Sequence, residues 1–287
     1  MIANDKADVI KIRKKQSENV SVNNEMDALQ SITLNPTELC NRTCHFCPRH
    51  DPKIYPNQNL HMSEETAIRL ASQLKSIDYK NKVIWSGNGE PLLNKNILNL
   101  IKIIHDANPQ LRVHEVNTNG DKLNQSMIDN LYSAGINHIM VSVYDGEEMF
   151  EKFIKLFEPY DSNRYTLRKS YYNNLDLTDF TNRAGTTQVN SHVKFNKNKC
   201  YLPFYKLFMD WNGDILLCCE DWRKITKDVL KLNINTHSIK EIWLSKVFNE
   251  YRNQLQHGDR SLSPCNRCNI HGERVGEEYI KFFNLEN

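Results

Sequence analysis

The chain has 287 residues, with 37 lysines and arginines against 35 acids, and its formal charge is only +2. That balance leaves no electrostatic footprint for nucleic acid or an anionic membrane surface, and no apolar run approaches the roughly 20 residues that span a bilayer. Eight cysteines follow a start, Met1-Ile2-Ala3-Asn4-Asp5-Lys6, that lacks the apolar core of a secretory signal. Metal ligation or catalysis in a reducing cytoplasm is therefore expected, rather than structural disulfides.

Residues 1–30 are mostly polar, with a basic patch at Lys11-Ile12-Arg13-Lys14-Lys15, and read as a partly disordered extension. From Ser31 onward, short β-rich runs alternate with amphipathic helical stretches, which predicts an α/β fold with a parallel sheet. Ile32-Thr33-Leu34 is the first predicted strand. Ser63 is placed to cap a helix, since Ala67, Leu70, Ala71 and Leu74 follow at helical spacing. Strands are then predicted at 82–85, 112–116, 138–143 and 165–168, with helices marked by Ile97, Ile101 and Ile104 and by Met127 to Leu131. A sixth strand is placed near Val189 to Phe195.

The strands end in polar or glycine-containing loops: 39–49, Ser86-Gly87-Asn88-Gly89-Glu90-Pro91, Asn117-Thr118-Asn119-Gly120 and Tyr144-Asp145-Gly146. In a βα barrel such loops gather on one rim, where sites are built. A partial (βα)6 TIM-like barrel over 31–195 is expected, with a small α+β domain over 196–287. In the second region, residues 207–217 read as a hairpin turning on Asn212-Gly213 in a type I′ turn. One long helix is predicted from Ser238 to about Gln256.

Cys40, Cys44 and Cys47 form a CxxxCxxC run. Three thiolates on one loop hold three irons of a [4Fe–4S] cube and leave the fourth iron open to a small molecule. This loop, with aromatic Phe46 before its last cysteine, resembles the signature of the radical S-adenosylmethionine (radical SAM) superfamily. Gly87-Asn88-Gly89-Glu90-Pro91 resembles that superfamily's Gly-Gly-Glu element, with asparagine between the glycines. The resemblance implies a SAM-binding [4Fe–4S] cluster whose open iron takes the amino and carboxylate groups of SAM. Reductive cleavage then yields a 5′-deoxyadenosyl radical, with electrons from a reductant such as flavodoxin or ferredoxin. It also implies that Gly87, Gly89 and Glu90 engage the methionine amino group, that Phe46 lies beside the adenine, and that Ser142 contacts SAM. Asn117 and Asn119 are rim candidates, with ordinary turn chemistry as the alternative.

The remaining cysteines are Cys200, Cys218, Cys219, Cys265 and Cys268. Their order around Gly213 and Pro264-Cys265-Asn266-Arg267-Cys268 resembles a SPASM domain shortened to the version called twitch. That likeness implies one auxiliary [4Fe–4S] cluster on Cys200, Cys218, Cys265 and Cys268, whereas the residues alone also admit a structural zinc site. Cys219 is left over, either as a hydrogen-atom donor in catalysis or as a buried small hydrophobe, and the roles of Cys218 and Cys219 are interchangeable at this level. Among basic residues near the end of the barrel, Arg164, Arg168, Lys169 and Arg183, the last beside Ala184-Gly185 is preferred for meeting the SAM carboxylate or an anionic substrate. His192 and Lys194 are possible acid–base groups.

The expected activity is hydrogen abstraction from a small molecule, oxidising a sugar or cyclitol alcohol to a ketone with the auxiliary cluster as electron acceptor, as in twitch-containing aminocyclitol dehydrogenases. Alternatives are epimerisation with Cys219 returning the hydrogen, maturation of a ribosomal peptide, for which residues 1–30 offer little room for a leader-binding module, and a non-catalytic iron–sulfur protein.

Overall fold

A computed structural model describes residues 1–4, 6–15, 21–170, 180–187, 198–270, 276–283 and 285. In chain order its elements are β1 (Ile2–Ala3), α1 (Lys6–Lys15), β2 (Ser31–Leu34), α2 (Glu64–Ser76), β3 (Lys82–Trp85), α3 (Ile97–Ala107), β4 (Val113–Thr118), α4 (Gln125–Ser133), β5 (His138–Val143), α5 (Glu147–Phe157) and β6 (Tyr165–Lys169). Then follow α6 (Leu202–Tyr205), β7 (Lys206–Met209), β8 (Ile215–Leu216), α7 (Ile225–Leu230), α8 (Ile239–Trp243) and α9 (Lys246–Gln256). Among the described residues, no helix is long and apolar enough to cross a membrane.

One sheet runs through the molecule in the order β1-β6-β5-β4-β3-β2-β7-β8. Every pairing is parallel except β7 with β8. The sequence of β2 shows how the layers arise. Ile32 and Leu34 are fully buried in the hydrophobic core, whereas Thr33 between them lines the interior cavity, as the period of two in a strand requires. Against the outer face lie Leu70 and Leu74 of α2, Leu100 and Ile104 of α3, Leu131 of α4 and Phe153 and Phe157 of α5. Ser63 caps α2 as expected, its hydroxyl accepting the Thr66 N–H at 3.3 Å.

Four expectations are revised. The N-terminal residues are not wholly an extension: Ile2–Ala3 pair with Leu167 and Arg168 of β6, and α1 brings Val9 to the interior cavity. The boundary at 195/196 does not divide the sheet, because β7 pairs in parallel with β2, Leu207 opposite Ile32. The 207–217 hairpin forms, but of its two turn residues only Gly213 has positive φ, at +86°. Its N–H bonds Asp210 O at 3.0 Å while Asp210 N–H bonds Asp214 O at 2.8 Å; this longer loop needs one left-handed residue rather than the two of a type I′ turn. The long helix 238–256 is two helices, because Ser245 is extended and its hydroxyl accepts the Phe248 N–H, starting α9 afresh after α8. The strand expected at 189–195, with His192 and Lys194, lies outside the described residues.

Candidate active site

The rim loops converge as the strand order demands. Cys40, Cys44, Cys47, Phe46, Gly87, Gly89, Glu90, Asn117, Asn119, Ser142, Arg183 and Cys219 all line one cavity of about 330 Å³. Arg168 faces it too. Arg164 and Lys169 do not: the Arg164 guanidinium lies 3.8 Å from the centre of the Tyr132 ring, and Lys169 pairs with Glu147 at 3.0 Å.

Glu90 is the best-held acid in the cavity. It is 3% exposed, its Oε2 accepts the Asn119 N–H at 2.8 Å, and its Oε1 accepts the Thr118 hydroxyl at 2.7 Å and the Leu92 N–H at 3.2 Å. Burial pushes its pKa up to about 7, against the pull of those donors. Asn119 acts through its backbone here, while its side chain donates to Asn41 Oδ1 at 3.0 Å and so ties the loop after β4 to the cysteine loop. The glycines are needed for close approach. A Cβ on Gly89 would overlap the carbonyl oxygens of Thr37 and Leu39, and one on Gly87 would overlap the Asn35 side chain.

Phe46 is buried and stacks on Phe180, with ring centres 4.3 Å apart, and Tyr144 lies 5.7 Å away. Burial drives the Tyr144 pKa to about 12, and Ser142 is hydrogen-bonded to that phenol. Arg183 pairs with Glu220 at 3.0 Å, so its guanidinium is already engaged by a carboxylate. Burial raises the thiols of Cys40 and Cys47, which ligation must deprotonate.

A second pocket is lined by Cys200, Cys218, Cys265 and Cys268, but not by Cys219. Cys200, Cys265 and Cys268 are at most 8% exposed. Burial followed by the neighbouring sulfurs Cys219, Cys265 and Cys268 raises Cys218 well above an ordinary thiol, and burial pushes Cys265 up to about 12. Ligation would remove those protons, although among the described residues no three His, Cys, Asp or Glu side chains converge on a single ion.

Sequence reasoning missed several residues. Asn35, Glu38 and Arg49 flank the cysteine loop and form a buried polar network beneath Asn88. Arg42, inside the CxxxCxxC run, bridges Asp121 and Asp145. Its position between two cysteines was the available signal; for Asn35 there was none.

The donor sets suit iron–sulfur groups and SAM. Three cysteines face a cavity beside an acid on the glycine loop, and four cysteines face a pocket of their own. Two buried oxygens on the cavity wall, Thr33 Oγ1 and Asn117 Oδ1, lack a hydrogen-bond partner among the described residues, as expected of a wall that receives a polar ligand.

Comparisons with known proteins agree. The radical SAM superfamily model matches residues 34–176, and an iron–sulfur cluster-binding domain, SPASM, matches 200–269. The chain is 27% identical over 256 residues to an S-adenosyl-L-methionine-dependent 2-deoxy-scyllo-inosamine dehydrogenase of Niallia circulans, covering 88% of this chain and 98% of that enzyme. A GTP 3′,8-cyclase of Clostridium perfringens is 28% identical over 146 residues, 51% of this chain and 44% of the cyclase. In fold, the chain is similar to the crystal structure of BtrN in complex with AdoMet and 2-DOIA, with a TM-score of 0.72, 24% identity, and coverage of 88% of this chain and 97% of that one. It is also similar to Streptococcus suis SuiB bound to precursor peptide SuiA, with a TM-score of 0.56, 12% identity, and coverage of 86% and 70%. The SPASM match supports an iron–sulfur cluster rather than zinc in the region of residues 200–269. The chain belongs to the radical SAM superfamily, with a SAM-binding [4Fe–4S] cluster in its barrel and an auxiliary iron–sulfur cluster in a SPASM-type domain.

Proposed function

We propose that the protein is a dehydrogenase that oxidises one alcohol carbon of a small cyclitol or sugar to a ketone. When bound, the clusters and SAM supply a 5′-deoxyadenosyl radical that takes the carbinol hydrogen and an acceptor for the electron left on the substrate, while the hydroxyl proton is released. Cys40, Cys44 and Cys47 hold the first cluster, and Cys200, Cys218, Cys265 and Cys268 the auxiliary one. Glu90 and the backbone of the Gly87–Gly89 loop receive the SAM amino group, and Phe46 with Ser142 flanks the nucleoside. Asn117 offers its unpartnered oxygen. The pair of half-buried Arg183 and buried Glu220 stands between the two cysteine sets, since Arg183 lines the first cavity and Glu220 the second pocket. It offers a cation and a carboxylate to substrate hydroxyl or amino groups. A low-potential reductant such as flavodoxin or ferredoxin supplies the first electron, in the cytoplasm.

The observation that carries this reading is that Cys219 lines the first cavity while its neighbour Cys218 lines the second pocket. One peptide unit, about 3.8 Å between Cα atoms, separates the substrate space from an auxiliary ligand, a short path for an electron. The same placement favours a second reading, in which the Cys219 thiol returns a hydrogen atom and the product is an epimer. Both are tested by incubating reconstituted, reduced protein with SAM and 2-deoxy-scyllo-inosamine in deuterated water. The dehydrogenase gives ketone and 5′-deoxyadenosine in equal amounts, with no deuterium at the reacting carbon. An epimer carrying deuterium there establishes the second reading and overturns the first.

A further inference from the structure

Asn35, in the loop just after β2, touches both halves of the redox apparatus and is completely buried. Its Oδ1 accepts the backbone N–H of Asn88 at 3.0 Å and of Gly89 at 3.3 Å. Its Nδ2 donates to Glu38 Oε1 at 2.9 Å and to Asp210 Oδ1 at 2.8 Å. Both amide hydrogens and both oxygen lone pairs are used, which fixes the side chain in one orientation. Arg49 completes the grip on the loop, its Nε donating to Asn88 O at 2.5 Å and its Nη2 to Glu38 at 3.3 Å.

The far side of this network belongs to the SPASM region. Asp210 follows β7, and Lys224 lies five residues past Cys219. The Lys224 ammonium donates to Glu38 Oε1 at 2.7 Å and to Asp210 Oδ2 at 2.5 Å. Lys224 is held with φ at +54°, an uncommon left-handed conformation for a side-chain-bearing residue. Of the two buried carboxylates beside Asn35, Glu38 pairs with both Arg49 and Lys224, whereas Asp210 has Lys224, from the auxiliary-cluster segment, as its one ion-pair partner among the described residues.

We propose that Asn35 is a positioning residue for the Gly87–Glu90 loop, and that Lys224 is the group through which the auxiliary-cluster segment sets the position of that loop and hence the affinity for SAM. The proposal rests on the reading of this loop as the SAM amino-group site. A merely structural network would lower stability or iron content without changing how tightly folded, iron-loaded protein binds SAM.

The test is equilibrium dialysis of SAM against full-length, anaerobically reconstituted and unreduced protein, so that no turnover occurs, with iron content measured on the same samples. Lys224→Met at full iron content is expected to raise the SAM Kd at least tenfold, and Lys224→Arg to restore it to within threefold. An unchanged Kd in iron-loaded Lys224→Met overturns the proposal. Should Lys224→Met fail to take up iron, Asp210→Asn carries the same comparison. It keeps the shape of the side chain and presents an NH₂ or an uncharged oxygen to Lys224; a Kd raised at least threefold supports the proposal, and an unchanged one overturns it. SAM binding by the unaltered protein tests the reading of the loop itself. Its absence overturns both claims, whereas equal binding by the unaltered and Lys224→Met proteins overturns the coupling alone.

Discussion

Cys218 and Cys219 are adjacent in the chain and face different cavities, Cys218 the pocket of Cys200, Cys265 and Cys268, and Cys219 the space above Cys40, Cys44 and Cys47. The chain bends and turns as it leaves β8 (Ile215–Leu216), so the two neighbours part at a turn rather than along a strand. A pair interchangeable in the sequence becomes one thiol facing the four-cysteine pocket and one facing the cavity of the glycine loop.

Alanine substitutions should separate the two. Protein reconstituted with two [4Fe–4S] clusters holds about eight irons. Cys218→Ala should retain about four, because the adjacent thiol, Cys219, faces the other cavity. Cys219→Ala should retain all of them and still form ketone. The measurements are iron analysis and product yield, and loss of iron from Cys219→Ala rather than Cys218→Ala would reverse the assignment.

Glu90 makes two quantities depend on pH with opposite signs. In the protein without ligands its pKa is raised by burial to about 7, whereas in an unfolded chain it sits near 4.5. The folded state thus binds the extra proton, and its contribution to stability is complete below pH 4.5 and lost as pH rises through about 7. The span corresponds to about 3 kcal/mol. Denaturation of the unliganded protein at pH 5 and pH 8 should show this slope, and Glu90→Gln should flatten it. On the proposed role of Glu90 SAM affinity runs the other way, since an ionised carboxylate would receive the amino group. It should rise with pH through about 7 in the unaltered protein and lose that dependence in Glu90→Gln.

The ease of reading the site from sequence has a physical limit. Cysteines, glycines and one acid at fixed local spacing were legible because a cluster loop and a glycine turn are local structures, and the strands before them showed through β-branched runs. The network beneath Asn88 was not, because Asn35 meets Asp210 across 175 residues and only the β2–β7 pairing brings them together. For the same reason β7, which the SPASM match spans, could not be seen from sequence to join the sheet beside β2. Its hairpin turn was visible, while its parallel partner was distant in sequence. Residues 1–30 misled through composition, since a two-residue edge strand such as Ile2–Ala3 leaves no periodic signal.

Gly89 offers a steric test of the loop. Any side chain at this position meets backbone carbonyls of the cysteine loop, which have no rotamer with which to yield. Gly89→Ala should move the loop away from Cys40 and weaken SAM binding by tenfold or more, about 1.4 kcal/mol. Gly146→Ala is the control. Nothing lies within 4 Å of its added methyl, but φ +88° and ψ −170° fall in a region open essentially to glycine alone, so it should cost about 1–3 kcal/mol of stability and leave SAM affinity unchanged.

Arg42 closes the rim from above. Its guanidinium donates to Asp121 through Nε at 2.7 Å and Nη2 at 2.5 Å, and to Asp145 through Nη1 at 2.9 Å and Nη2 at 2.6 Å. One side chain between Cys40 and Cys44 thereby fastens the loops that follow β4 and β5. Only a planar fork spans two carboxylates in this way, so Arg42→Lys keeps the charge and loses the geometry. Partial exposure of Asp145 limits the expected loss to about 1–2 kcal/mol. If that energy resists opening of the cysteine loop, iron should leave the Arg42→Lys protein in two phases under a chelator, with the SAM-site irons released roughly tenfold faster than in the unaltered protein. The auxiliary irons, which Arg42 does not touch, should leave at the unaltered rate. A single unchanged phase would mean that the three thiolates alone hold the loop in place.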